Sequence, residues 1–169
     1  MKTATITIYK AYVLYDIDSL TFKRVDGEMS DQTDRVRNAL SSDSEEELDK
    51  VMLHRYMEGR DATLRTKLAF CLVSDEADSL EVDNNPSMDS PSFVYKLNVP
   101  DHFNAEIVKA LSQKIHNYLV DGTAYDWYSR QGTAYAVGQT ELDDMLKKIA
   151  SSLRKSFVYR PLQPFGPAK

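Results

Sequence analysis

Apolar residues recur at helical spacing in three stretches of the chain. From 44 to 73, Leu48, Val51, Met52, Met57, Leu64, Leu68, Cys71 and Leu72 recur at roughly helical spacing, which predicts a helix. Ser44 followed by Glu47 has the spacing of a capping box, and Asp43, Glu45 and Glu46 suit the positive end of the helix dipole. Gly59 interrupts this stretch, weakening it by roughly 1 kcal/mol relative to alanine and marking a bend or a close approach. The strongest stripe is Ile107, Leu111, Ile115, Tyr118, Leu119 and Gly122, with Asp101 or Asn104 as its cap, and it predicts a helix over 104–131. Gly132 and Gly138 then bracket a linker. A third helix is predicted over 140–154 from Leu142, Met145, Leu146, Ile149 and Leu153, with Thr140 and Asp143 spaced as a second capping box.

Elsewhere the period is two. Phe93, Tyr95, Leu97 and Val99 alternate as a half-buried strand should, and Pro100 ends the run because proline cannot donate to a ladder. Residues 3–15 are rich in Thr, Ile, Tyr and Val, the composition of a strand. Asp16-Ile17-Asp18-Ser19 is turn-like and Leu20 to Val25 resumes an extended pattern, so a β-hairpin is expected at the N-terminus. Ser30 to Leu40 suits a short helix, and the acidic Ser-, Asn- and Pro-containing stretch 74–92 reads as a long loop. The expected architecture is α+β. It is mainly a helical bundle with three principal helices, an N-terminal β-hairpin and one further strand near 93–99. A single domain over 1–160 would be followed by an extended tail over 161–169, since Pro161, Pro164 and Pro167 exclude helix there.

Composition narrows the class. A chain of 169 residues, 42% hydrophobic and 28% charged, can bury one core without staples, which argues against a wholly disordered protein. Its lone cysteine, Cys71, permits neither an intrachain disulfide nor a cysteine-based zinc site, and fits a reducing compartment. No signal-peptide h-region and no apolar run near the roughly 18 residues of a membrane span occur, so a soluble protein made in the cytoplasm, with no membrane partner, is expected. A net charge of −5, with lysines and arginines dispersed, disfavours nucleic-acid binding.

Catalytic signatures are missing. The six glycines form neither GxGxxG nor GxxxxGK[ST], and there is no GxSxG or CxxC. His54 and Glu58 share a helix face at i,i+4 but lack the further ligands that a metal site requires. His116 borders the stripe of Ile115 and Leu119, the usual setting of a hydrogen-bonded boundary histidine. No catalytic, cofactor-binding or metal-binding residue is assigned, and the chain is not expected to be an enzyme.

Two features rise above this background. Tyr125, Trp127, Tyr128 and Tyr135 cluster around the end of the second predicted helix, and such aromatics serve equally well in a core or at an interface. The proline-stiffened tail carries Phe157, Tyr159, Leu162 and Phe165 and loses little entropy on docking. All eight residues are candidates for subunit contact.

The order of these elements resembles a known group. Phe93-Val94-Tyr95-Lys96-Leu97-Asn98-Val99-Pro100 introduces a long helix running through Trp127-Tyr128, followed by the helix from Thr140 to Arg154 and then Phe157-Val158-Tyr159-Arg160-Pro161. Over residues 44–160 this is similar to small virion proteins of tailed phages and prophages of Bacteroides-type gut bacteria that look like head–tail connector or neck components. The N-terminal segment departs from the simplest connector pattern. The resemblance implies a homo-oligomeric ring docked on portal or tail proteins, located in the virion and in the host cytoplasm during assembly. The alternative is a cytoplasmic protein–protein interaction module without catalysis.

Overall fold

The computed structural model describes residues 1–24, 47–73 and 90–157. The capping box at Ser44, the helix expected within 30–40, most of the 74–92 loop and everything after Phe157 lie outside the described residues. In chain order the elements are β1 (Lys2–Tyr9), α1 (Lys10–Arg24), α2 (Glu47–Leu68), β2 (Ser92–Val99), α3 (Ala105–Arg130) and α4 (Gln139–Phe157). The fold is α+β and mostly helical.

The N-terminal region differs from the expected hairpin in two ways. β1 pairs antiparallel with β2, from Lys2 opposite Val99 to Tyr9 opposite Ser92, and not with residues 20–24. Residues 10–24 form a fourth helix instead of a turn and return strand. Val13 and Ile17, one turn apart, are both buried, and Leu14 packs beside them. Burying that stripe outweighs the weak local strand preference of a Tyr- and Val-rich segment. Asp16 and Asp18, read as turn formers, lie half-buried within α1.

β2 behaves as its alternation predicts, with Phe93, Tyr95, Leu97 and Val99 all buried. It is hydrogen-bonded on both edges. Beyond β1, Leu72 bridges to Leu97, while the Asn98 amide donates to the Cys71 carbonyl at 2.7 Å and the Val73 amide to the Lys96 carbonyl at 2.8 Å. The end of α2 is thereby tied to the sheet.

α3 is the central element and packs against α1, α2, α4 and β1. Asn104 caps it, its side chain accepting from the Ile107 amide at 2.9 Å. It ends at Gly132, whose φ of +71° favours glycine, with the Thr133 amide donating back to the Tyr128 carbonyl at 3.0 Å. α4 buries Leu142, Leu146, Ile149 and Leu153 as predicted. Its cap sits two residues earlier than expected: the Gly138 amide donates to the Glu141 carboxylate at 2.7 Å, so Gly138 and Glu141 take the roles assigned to Thr140 and Asp143. Among the described residues no helix is long and apolar enough to cross a membrane.

Candidate functional site

The buried charges gather along α2 and are matched among themselves. Arg60 donates to both oxygens of Asp126 on α3, at 2.7 and 2.6 Å. Burial alone would lower its pKa, but the bond to Asp126 and its charge prevail and raise it. The next residue, Asp61, accepts from the Tyr95 hydroxyl at 2.5 Å and from the Arg65 guanidinium at 2.7 Å. Burial first, and the Asp61 charge second, push the Tyr95 phenol up. Lys10, at the start of α1, reaches Glu58 at 3.3 Å and lies over the Phe93 ring at 4.9 Å. These pairs pin α2 to α1, β2 and α3. Their geometry is that of structural clamps.

The residues considered for chemistry are placed accordingly. Glu58 faces Lys10, whereas His54 is buried and its Nδ1 has no hydrogen-bond partner among the described residues. No group of three or more potential metal ligands forms among the described residues. Burial raises the Cys71 thiol to about 11, so it stays protonated at neutral pH. His116 hydrogen-bonds Asp16 of α1 at 2.7 Å, tying α1 to α3 as a boundary histidine would.

The predicted aromatic contact patch is largely interior. Trp127 is fully buried and Tyr128 is buried; Tyr125 and Tyr135 are half-buried. Tyr135 stacks on Tyr128 with ring centroids 5.5 Å apart and donates to Asp121 at 3.1 Å, folding the 131–138 linker back onto α3. Trp127 and Tyr128 thus pack within the core of the chain itself. Phe157 is 38% exposed and meets Phe70 edge to face at 6.2 Å. Tyr159, Leu162 and Phe165 lie outside the described residues.

Exposed aromatics occur elsewhere. Tyr9 closes β1, and Tyr12 and Tyr15 follow one turn apart on α1, with exposures of 52%, 66% and 70%. Tyr9 and Tyr12 meet edge to face at 6.0 Å. The three tyrosines flank a groove of about 420 Å³ between α1 and α3, whose other wall carries Ser112, Gln113 and His116. Because Val13 and Ile17 point α1 inward, the opposite positions 12 and 15 must face out. The three-residue spacing of the tyrosines was the available signal, and reading this segment as a strand hid it.

A second cleft, of about 340 Å³, lies between α3 and α4 on the other flank of α3. Lys114, Lys148 and Lys155 rim it, and Met145 and Ile149 contribute apolar surface. Lys114 sits 3.3 Å from the Ser152 hydroxyl. It is a local basic strip on a chain whose net charge is −5. No protein-family model matches the sequence, and neither the curated proteins nor the solved structures contain a significant match to it.

Proposed function

We propose that this protein acts by self-assembly, as a structural component in the head–tail connector or neck ring of a tailed phage particle. The observation that carries assembly is the row Tyr9, Tyr12 and Tyr15, left in water by a chain that buries Tyr95, Tyr118, Trp127 and Tyr128. Tyrosine is enriched at protein interfaces, where a large apolar body is covered while the hydroxyl keeps a polar partner. The phage setting rests on the element order from β2 through α4 and on the acidic balance, which suits a channel that DNA slides through. Portal or tail proteins would be the partners within the particle.

Mass photometry of the purified chain is expected to show species well above 19.3 kDa, and electron microscopy closed rings. A strict monomer at high concentration sinks self-assembly and leaves the interaction module, using the same tyrosine face for a different protein. Duplex DNA is expected to give no sub-micromolar shift at physiological salt.

A further inference from the structure

We propose that the tyrosine groove between α1 and α3 receives the proline-rich segment 158–169 of a neighbouring copy of this chain. This rests on the assembly reading above and names the two surfaces that would meet.

The chemistry of the two partners is complementary. Aromatic-lined grooves bind polyproline segments because proline rings pack flat on aromatic faces and the extended backbone is already ordered before binding. Segment 158–169 carries Pro161, Pro164 and Pro167 at every third position. A polyproline helix has three residues per turn, so these prolines would line one edge at intervals of about 9 Å. Leu162 and Phe165, also three apart, would line a second edge. The groove offers three largely exposed tyrosines, and Ser112 and Gln113 beside them can donate to carbonyls that a polyproline backbone leaves unpaired. Charge agrees as well: the segment contains Arg160 and Lys169 and no acid, while the Asp16 side chain at the groove is 48% exposed.

Placement favours a neighbour over the same molecule. α4 packs on the flank of α3 that carries Leu111 and Lys114, where Ser152 and Leu153 meet Phe103 and Ile107. The groove opens on the flank that carries Ser112 and His116. α4 and the groove thus lie along different flanks of α3. The twelve residues after Phe157, extended as polyproline, span about 37 Å, enough to cross between subunits.

The test uses the full chain throughout. Tyr12→Ser with Tyr15→Ser, and separately Pro161→Ala with Pro164→Ala, should each raise the concentration for half-assembly at least about tenfold. A synthetic peptide of residues 158–169 added in excess should dissociate wild-type assemblies. A chain carrying Tyr15→Cys and Leu162→Cys should form disulfides between subunits, seen as a ladder on non-reducing gels; buried Cys71 should not compete. A disulfide within one chain, or none, overturns the proposal. So do wild-type assemblies that ignore both double variants and the peptide, an outcome that leaves self-assembly itself standing. A monomeric wild type removes both.

Discussion

The aromatic end of α3 and the tyrosine row at the start of α1 use similar side chains for opposite purposes. Around α3, Trp127 and Tyr128 are buried and Tyr135 is stacked on Tyr128. On α1, Tyr12 and Tyr15 stand in water at 66% and 70% exposure, with Tyr9 beside them. What separates the two is the helix face. Trp127 lies near the line of Val120 and Thr123, buried positions on a face of α3 turned to its neighbours. Tyr12 and Tyr15 lie opposite Val13 and Ile17, the residues that seat α1 on the core. Aromatic content thus marks two regions of this chain, but only the direction of the core tells a girder from a contact surface.

The largest test of that contrast is Trp127→Ala. Removing a fully buried indole should cost about 3–5 kcal/mol in chemical denaturation. A loss below about 1 kcal/mol would mean that the end of α3 is loosely packed, and the contrast would collapse.

Next come two glycines, one on each of the helices that meet beneath the Arg60 clamp. A Cβ on Gly122 of α3 would lie 2.9 Å from Arg60 Cδ and 3.0 Å from its Cγ, whereas among the described residues nothing lies within 4 Å of a Cβ on Gly59 of α2. Asp126 grips Arg60 with both oxygens, so the arginine stem has little freedom to move aside. Gly59→Ala should therefore stabilise by about 1 kcal/mol from helix preference, while Gly122→Ala should destabilise by a similar amount or more. With Arg60→Ala already present, the sign at Gly122 should reverse. Equal effects at both glycines would show that Arg60 is not the obstacle.

These glycines also show what the sequence could convey. The strand 93–99 and the stripes of α3 and α4 were legible, because a period of two or 3.6 is a local property and each ran uninterrupted. Gly59 was flagged for close packing and Gly122 was counted as one more stripe position, yet the close approach is at Gly122. Nothing local distinguishes them, since the obstacle belongs to a helix some sixty residues away. The same limit hid the pairing of β1: its partner is separated from it by α1 and α2, while a plausible false partner followed at once. The exposed tyrosines were lost with it. A strand reading sends residues 9 and 12 to opposite faces, and only a helix beginning at Lys10 groups Tyr12 with Tyr15.

A smaller effect should appear with pH at the seam joining α1 to α2. Burial, then the charge of Lys10, opposed by Glu58 and aided by Lys50, hold the pKa of His54 below its ordinary 6.5. As pH falls past 6.5 the unfolded chain takes up this proton before the folded one does. The contribution of His54 is therefore complete above 6.5 and is lost progressively as pH drops toward the depressed value. His54→Gln should flatten that part of the stability curve between pH 7 and 5, measured by urea unfolding. An unchanged slope would place the source of any acid sensitivity elsewhere.

The smallest effect on stability is expected on the tyrosine face, and its smallness is the point. Tyr15→Ser removes a ring that is 70% exposed from a helix in which serine and tyrosine have nearly equal preference, so unfolding free energy should change by less than about 0.5 kcal/mol. Tyr12→Ser should cost slightly more, because it also removes the edge-to-face contact with Tyr9 at 6.0 Å. Neither change touches Val13 or Ile17, so α1 should stay seated and circular dichroism should be unaltered. Set beside Trp127→Ala, the pair isolates exposure as the variable, since both sites lose an aromatic ring from a helix. A loss above about 2 kcal/mol at Tyr12 or Tyr15 would mean that the row braces its own domain, and the face would cease to be a candidate contact surface.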